Sequence, residues 1–206
     1  MQLSNLVYLA KMMKRRVRPT FLFWAIKKFN LPAPQLIKIN VLARNGIKNG
    51  NWIETGTYLG DTTKFLAKKY PKSLIYSLEP DKKLFQFTKL RLKRFKNVLL
   101  VNASSEEYLD KIVSKLNNST NFWLDGHFSG DVTFKGDQIS PILIELGIIE
   151  KYIKQMSSIC VFIDDVRDFN NDLESGYPSR DLLVNWAIKN NLMWNIEFDI
   201  FIAKSH

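Results

Sequence analysis

The sequence predicts an α/β protein in which a mostly parallel β-sheet carries helices on both faces. The main observation is a regular alternation from Asn51 onward, where short apolar runs of strand length alternate with segments of helical apolar spacing. A second observation is that residues 193–203 resemble two closely spaced strands. An apolar content of 46% and an aromatic content of 13% are typical of a folded domain with a complete core.

The alternation assigns the elements in chain order. Strands are expected at residues 51–55, 74–78, 98–101, 122–124 and 159–163. Helices are expected at residues 61–70, 81–95, 104–116, 139–154 and 181–189. Pro71 closes the first of these helices, Asp81 can cap the second, and Pro141 suits the first turn of the fourth.

The first 48 residues are predicted to form a basic helical extension, and residues 49–206 the main domain. No acidic residue precedes Glu54, so the whole formal charge of +10 lies in the first 53 residues. Two roles are open for the extension. In the first, it packs on the domain, or on a second subunit to form a homo-oligomer. In the second, it places a basic amphipathic surface on an anionic membrane.

Composition also limits the compartment and the partners. No apolar run approaches the roughly 20 residues that cross a bilayer. The N-terminus does not resemble a signal peptide, because its basic cluster follows the apolar run 6–10, whereas the basic residues of a signal peptide precede the apolar run. A single cysteine, Cys160, suits a reducing cytoplasm. If the basic extension binds an anionic membrane, the protein would lie at the inner face of that membrane. Because charges balance beyond residue 53, a basic surface for nucleic acid is not indicated.

The first strand leads into a glycine turn and the start of a helix, a common way for an α/β protein to hold a nucleotide-like ligand. Gly56 and Gly60 permit a tight turn and a close approach of backbone to ligand, and Asp61 or Thr62 can cap the helix. The spacing Glu-x-Gly-x-x-x-Gly differs from the Gly-x-Gly-x-x-Gly of dinucleotide sites. It therefore disfavours an NAD-type oxidoreductase, which stays an alternative.

Two further positions follow the next strands. Glu79 ends the second strand about 20 residues beyond the glycine turn, where an acid can accept hydrogen bonds from both ribose hydroxyls. Small polar residues at 102–104 close the third strand and could face an adenine edge. Over residues 50–203 the chain resembles the class I S-adenosylmethionine-dependent methyltransferases. Their first motif is matched by Glu54 and the two glycines, and their ribose-binding acid by Glu79.

This resemblance implies a Rossmann-like, doubly wound sheet of seven strands, with one antiparallel strand contributed by the terminal hairpin. It implies methyltransferase activity with S-adenosyl-L-methionine as cofactor. The residues expected to bind that cofactor are Glu54, Thr55, Gly56, Thr57, Gly60, Thr62, Glu79, Ser104 and Asp125.

Three aspartates follow the fourth and fifth strands. Asp125 comes after the fourth strand, and Asp164 and Asp165 come after the fifth. Ligands of open α/β sheets bind outside these strand ends, and carboxylates gathered there repel one another unless a cation or proton intervenes. Hard cations such as Mg²⁺ take oxygen ligands of this kind, so these aspartates are the predicted metal site. Asp125 could instead simply cap the loop after its strand, and one aspartate of the pair could serve only a backbone hydrogen bond.

The Asp plus Asp-Asp pattern resembles the metal-dependent sugar O-methyltransferases of the macrocin O-methyltransferase type. That resemblance implies a sugar or glycan hydroxyl as acceptor, with Asp125 among the catalytic residues. The family has an acidic base two residues after its first metal ligand, and this chain has His127 there. Histidine is a competent base near neutral pH, so His127 is the predicted catalytic base. The run from Asp125 to Gly130 also resembles uncharacterised methyltransferases associated with surface-polysaccharide synthesis.

Other functions remain open at this point. The Asn/Asp-Pro-Pro-Tyr signature of amino-directed enzymes is absent after the fourth strand, which argues against methylation of base amino groups but leaves 2′-hydroxyl methylation of RNA open. An inactive methyltransferase-like module that binds a membrane or a partner is a further alternative. Arg167 and Tyr177 flank the acid pair and could contact substrate, although a solvated loop explains them equally.

Overall fold

The structure is a computed structural model that describes residues 7–11, 20–125, 141–170 and 177–206. Within these residues a seven-stranded sheet has the order β3-β2-β1-β4-β5-β7-β6. Its strands are β1 Asn51–Thr55, β2 Ile75–Leu78, β3 Val98–Val101, β4 Thr120–Leu124, β5 Ile159–Ile163, β6 Met193–Glu197 and β7 Ile200–Lys204. β7 is antiparallel to both of its neighbours, and the other pairs are parallel. The predicted fold class is confirmed.

The helices lie close to their predicted positions. They are α1 (residues 7–11), α2 Thr20–Ile26, α3 Gln35–Asn45, α4 Asp61–Lys69, α5 Lys82–Leu92, α6 Ser105–Val113, α7 Pro141–Tyr152 and α8 Arg180–Lys189. Asp81 caps α5 as expected, because its carboxylate accepts a hydrogen bond from the Leu84 amide at 2.7 Å. α5 was expected to reach residue 95 but ends at Leu92. There the chain turns toward Asn97, whose side-chain amide donates to three backbone carbonyls.

Strand alternation divides the core between the two faces of the sheet. On one face Ile53, Phe122 and Val161 stand in register across β1, β4 and β5. On the other face Trp123 and Phe162 are paired in the same way, and Trp52 stacks on Phe162. Helices α6, α7 and α8 contribute to the first cluster, and α3 and α4 to the second. Both faces are therefore covered, as the near-continuous apolar strands require.

Helix α3 is the part of the N-terminal extension that packs onto the sheet. Val41 and Leu42 are completely buried in the cluster that contains Trp52. The apolar side chains of Leu22, Ile26 and Phe29 are exposed. The expected contacts of the extension with a second subunit or an anionic membrane stay predictions. No helix in the described ranges combines the length and apolar character needed to cross a bilayer.

Candidate functional site

The order of the sheet fixes where a ligand would bind. β1 pairs with β2 on one side and with β4 on the other, so the direction of winding reverses between β1 and β4. In open α/β sheets this switch point opens a crevice at the carboxyl ends of the strands. The predicted cofactor turn and the predicted acid cluster both border this crevice.

The glycine turn after β1 depends on left-handed backbone conformations. Gly56 has φ 86° and Gly60 has φ 72°, backbone angles that residues with a Cβ rarely adopt. A Cβ at Gly60 would lie 3.2 Å from Leu92 Cδ1. The expected cap by Asp61 or Thr62 is wrong, because Gly60 occupies the N-cap position of α4 with no side-chain cap. The two side chains are used differently, since Asp61 pairs with Arg91 and the Thr62 hydroxyl accepts from Gln35.

Glu79 fastens this turn to the end of β2. Its carboxylate is only 3% exposed and accepts hydrogen bonds from the backbone N–H of Tyr58 at 2.7 Å and of Asp81 at 3.0 Å. Burial raises the pKa of Glu79 to about 7 even though these two amides act in the opposite direction. A carboxylate has about four lone-pair sites, so Glu79 keeps acceptor capacity for ribose hydroxyls.

Glu54 lies beneath the turn, and its hydrogen bonds are made within the protein. It is 1% exposed, and its Oε2 accepts from the hydroxyls of Thr63 and Ser77, each at 2.5 Å. The Ser77 hydroxyl is also 2.6 Å from that of Thr57, so two of the predicted cofactor-binding residues belong to one buried polar network. Burial raises the pKa of Glu54 to about 8. Its carboxyl is therefore mostly protonated near neutral pH.

Replacing Glu54 by glutamine should reduce the pH dependence of stability between about pH 4.5 and about pH 8. The folded protein holds a proton that the unfolded chain releases above pH 4.5. This contribution to stability is thus complete below that pH and is lost as the pH rises to about 8. Glutamine cannot ionise but still accepts from both hydroxyls. The free energy of unfolding, measured by urea denaturation, should therefore fall less steeply with pH in Glu54→Gln than in the wild type. The two slopes should differ by about 1.4 kcal/mol per pH unit.

The control for this measurement is Glu106→Gln at an exposed glutamate, which should keep the wild-type slope. Glu79, with its own pKa of about 7, accounts for part of the slope that remains in Glu54→Gln. A Glu54→Gln protein with the slope of the wild type would contradict the assignment.

The end of β3 supports the adenine side of the crevice. Asn102 donates its side-chain amide to the backbone carbonyls of Glu79 and Pro80, at 2.8 and 3.0 Å. Ser104 is the N-cap residue of α6, and its N–H donates to Glu107 at 3.2 Å. Asn102 thus fixes the segment after β2, and Ser104 fixes the start of α6. Both segments border the crevice, as the predicted adenine region requires.

Tyr8 of α1 is a residue of the cofactor side that sequence reasoning missed. Its ring centroid is 5.2 Å from that of Phe87, within a small apolar cluster that also contains Leu59 of the glycine turn. Burial raises the pKa of the Tyr8 hydroxyl, and the charges of Asp81 and Glu79 raise it further. The extension therefore reaches the same side of the sheet as the ribose-type acid, which its periodicity alone could not show.

The three predicted metal ligands come together at the ends of β4 and β5. One ligand oxygen from each of Asp125, Asp164 and Asp165 lies within 4.8 Å of the other two. Sheet pairing sets this geometry, since Asp125 N donates to the Thr55 carbonyl and Asp164 N to the Leu124 carbonyl, both at 3.1 Å. Asp165 has φ 53° and donates its N–H to Asp164 Oδ1 at 2.9 Å. This donor set fits a hard divalent cation such as Mg²⁺.

Two basic side chains accompany the cluster. Lys38 Nζ of α3 donates to Asp164 Oδ2 at 2.5 Å and to Asp165 Oδ1 at 2.8 Å. Arg167 donates to the same Asp165 oxygen at 2.6 Å and also pairs with Asp199. Burial alone would lower the pKa of the Lys38 ammonium, but the two aspartates hold that pKa above its ordinary value. Sequence reasoning missed Lys38, because nothing in the pattern of an amphipathic helix identifies a partner 126 residues away.

Burial raises the pKa of Asp164 well above its ordinary value, and Asp125 and Asp165 add to this rise. Lys38 acts in the opposite direction without reversing it. A raised pKa means that Asp164 takes up a proton more readily than a free aspartate, which relieves part of the repulsion among the three carboxyls. His127, the predicted base, lies outside the described residues, and its role stays a prediction.

No family model matches the chain. Ribosomal RNA small subunit methyltransferase A of Caldanaerobacter subterraneus subsp. tengcongensis is 28% identical to it over 155 residues. That similarity covers 73% of this chain and 53% of the relative, so the chain spans about half the length of the curated relative it matches.

Solved structures show the fold. A Staphylococcus aureus protein described as a caffeoyl-CoA O-methyltransferase matches over 100% of both chains, with a TM-score of 0.52 and 16% identity. A Streptococcus mutans protein described as a methyltransferase, solved with SAH (S-adenosylhomocysteine), matches over 85% of this chain and 98% of that one, with a TM-score of 0.51 and 17% identity. The chain has the class I S-adenosylmethionine-dependent methyltransferase fold.

The residues at the switch point of this methyltransferase fold fit a nucleoside ligand of the S-adenosylmethionine type. Glu79 offers a carboxylate for ribose hydroxyls, and the left-handed backbone at Gly56 and Gly60 lets the turn close over the end of β1. The Thr55 hydroxyl, at the end of β1, is buried without a hydrogen-bond partner among the described residues. Such an unsatisfied buried hydroxyl is costly unless a ligand or water completes it.

Proposed function

We propose that the protein is an S-adenosylmethionine-dependent O-methyltransferase acting on a sugar or glycan-linked hydroxyl, with a divalent cation such as Mg²⁺ on the acceptor side. The observation that carries this proposal is the position of the acid cluster next to the cofactor-type turn. β1 and β4 are adjacent, and Asp125 is joined to Thr55 through a backbone hydrogen bond of 3.1 Å. Donor and acceptor sites would thus share one crevice.

The residues would divide the reaction between them. S-adenosylmethionine supplies a methyl group on a positively charged sulfur, which an acceptor oxygen attacks in line. Glu79 would hold the ribose, and the glycine turn would let the backbone approach the cofactor. A cation held by Asp125, Asp164 and Asp165 would supply Lewis-acid chemistry that lowers the pKa of the acceptor hydroxyl. His127, on the sequence evidence, would accept the hydroxyl proton, and alignment of the two reactants would be the main contribution of the protein.

The charge of the cluster favours a neutral, hydroxyl-rich acceptor. Asp164 is 2% exposed and close to two other carboxyls, and Lys38 and Arg167 only offset their charge, so the cluster offers no surplus of positive charge to a polyanionic acceptor. Neighbouring sugar hydroxyls can donate hydrogen bonds to carboxylates and can also coordinate a hard cation. The resemblance of the Asp plus Asp-Asp pattern to sugar O-methyltransferases supports the same acceptor class.

Methylation of ribosomal RNA is the second candidate, and one observation favours it. The relative from Caldanaerobacter subterraneus is a ribosomal RNA methyltransferase by name. The basic extension would attract phosphates. The acid cluster and the absence of the amino-directed signature after Asp125 act against base methylation, so 2′-hydroxyl methylation is the form of this candidate that fits.

Calorimetry and a transfer assay test the proposal. The full chain should bind SAH and not NAD, and labelled S-adenosylmethionine should transfer its methyl group to a member of a panel of nucleotide sugars and glycans. Ribosomal RNA stripped of protein serves as the competing acceptor. Absence of SAH binding would overturn the methyltransferase assignment, and transfer to RNA alone would replace the sugar acceptor with the second candidate.

A further inference from the structure

Lys38 reaches the acceptor side of the crevice from outside the methyltransferase motifs. It is carried by α3, which is held against the sheet by the complete burial of Val41 and Leu42 next to Trp52. Although it is a lysine, Lys38 is only 7% exposed. A buried ammonium is costly unless it is paired, so its position is determined by its partners.

These partners are carboxylate oxygens of two of the predicted metal ligands. Lys38 Nζ contacts Asp164 Oδ2 at 2.5 Å and Asp165 Oδ1 at 2.8 Å. The other oxygen of Asp164 accepts the Asp165 N–H at 2.9 Å, and Asp165 Oδ1 is already shared with Arg167. A divalent ion that takes Asp164 Oδ2 or Asp165 Oδ1 as a ligand would therefore share that oxygen with the ammonium.

The Lys38 ammonium and a divalent ion would compete for these oxygens. An ammonium and a divalent ion that share two carboxylates would lie within a few ångströms of each other, where like charges repel strongly in a poorly solvated site. Lys38 has a flexible four-carbon stem and can withdraw, whereas the aspartates are fixed by the ends of β4 and β5.

We propose that Lys38 is a built-in cation of the acid cluster that competes with a divalent metal for Asp164 and Asp165. Lys38 thereby sets the affinity of the site for metal, and metal binding moves its ammonium out of the cluster. This inference rests on the cation site of the proposed function. It adds that the N-terminal extension is part of that site.

The first test compares Mn²⁺ binding by calorimetry in the wild type and Lys38→Met, whose side chain has similar length and no charge. Lys38→Met should bind Mn²⁺ at least about tenfold more tightly, because the competing charge is gone. The matched control is Lys48→Met, which removes an exposed lysine of the same extension and should bind Mn²⁺ like the wild type. Equal affinity in Lys38→Met and the wild type would overturn the proposal.

The second test uses the wild type alone, so it does not depend on how well a variant folds. Acetylation of lysine amines is followed by mass spectrometry with and without Mn²⁺. Lys38 should be protected without metal and should react at least about tenfold faster at saturating Mn²⁺, whereas Lys48 should react equally in both states. Unchanged protection of Lys38 at saturating metal would overturn the proposal.

The results separate the competition by Lys38 from the cation site itself. If neither the wild type nor Lys38→Met binds Mn²⁺, both this proposal and the cation part of the proposed function are wrong. Retained SAH binding and methyl transfer in EDTA would then leave the methyltransferase assignment intact. If Mn²⁺ binds the wild type and Lys38→Met equally, only the competition by Lys38 is overturned.

Discussion

Replacing Glu79 by glutamine should weaken the binding of SAH about 100-fold, because two charge-assisted hydrogen bonds to ribose hydroxyls would be lost at about 1.5 kcal/mol or more each. The substitution also places an amide NH₂ where the carboxylate now accepts from the N–H of Tyr58 or of Asp81. One of these backbone donors would lose its acceptor, and the glycine turn would shift. Calorimetry with SAH measures the effect directly.

The pH dependence of binding gives this prediction a second, independent measurement. With a pKa of about 7, Glu79 is protonated in acid, and a protonated carboxyl accepts hydrogen bonds less well. Wild-type affinity for SAH should therefore rise about tenfold between pH 6 and pH 8, and Glu79→Gln should lack this rise. The exposed Glu106→Gln control should behave as the wild type. A folded Glu79→Gln protein with unchanged affinity would remove Glu79 from the cofactor site.

Replacing Asp125 by asparagine should lower methyl transfer by about 100-fold or more while SAH affinity changes by less than about threefold. Asparagine keeps the size and the backbone hydrogen bond to Thr55 but removes one of the three charges that gather at the cluster. The acceptor and the cation would both be held less precisely. The readout is kcat/KM with the acceptor found in the transfer screen, together with Mn²⁺ affinity, which should fall in parallel.

The control for this second prediction is Asp168→Asn. The side chain of Asp168 is 42% exposed and lies 3.5 Å from Arg167, so it is close to the cluster without belonging to it. Its substitution should leave kcat/KM within about threefold of the wild type, as is usual for exposed charges. Equal losses in the two variants would mean that the local charge, and not the ligand set, controls the rate.

Local sequence predicted those parts of the fold that depend on local chemistry. The order of strands and helices follows from periodicity. Asp81 marks a helix start through its capping carboxylate, and Pro141 does so through its fixed backbone angle. The gathering of Asp125 with Asp164 and Asp165 was also predictable. Strand ends of a parallel sheet meet at one edge. Asp125 and Asp164 directly follow their strands, and Asp165 is the next residue.

Other features depend on contacts between distant parts of the chain and could not be predicted in this way. The Lys38 contact needs the packing of α3 on the sheet, and the Glu54 network needs Ser77 opposite it on β2 and Thr63 above it on α4. The cap of α4 was mispredicted for a related reason. Asp61 is a good capping residue in isolation, but Arg91 of the neighbouring helix engages its carboxylate instead.

The burial of α3 also changes what counts as a unit of this protein. The charge pattern places a boundary near residue 48, yet Val41 and Leu42 cover Trp52 across it. A fragment beginning at residue 49 would expose an indole of the core and leave the buried Asp164 without its lysine. The change in charge near residue 48 therefore does not separate two independently stable units, because α3 packs across it. A fragment that keeps these contacts has to include the whole of α3, from Gln35 onward.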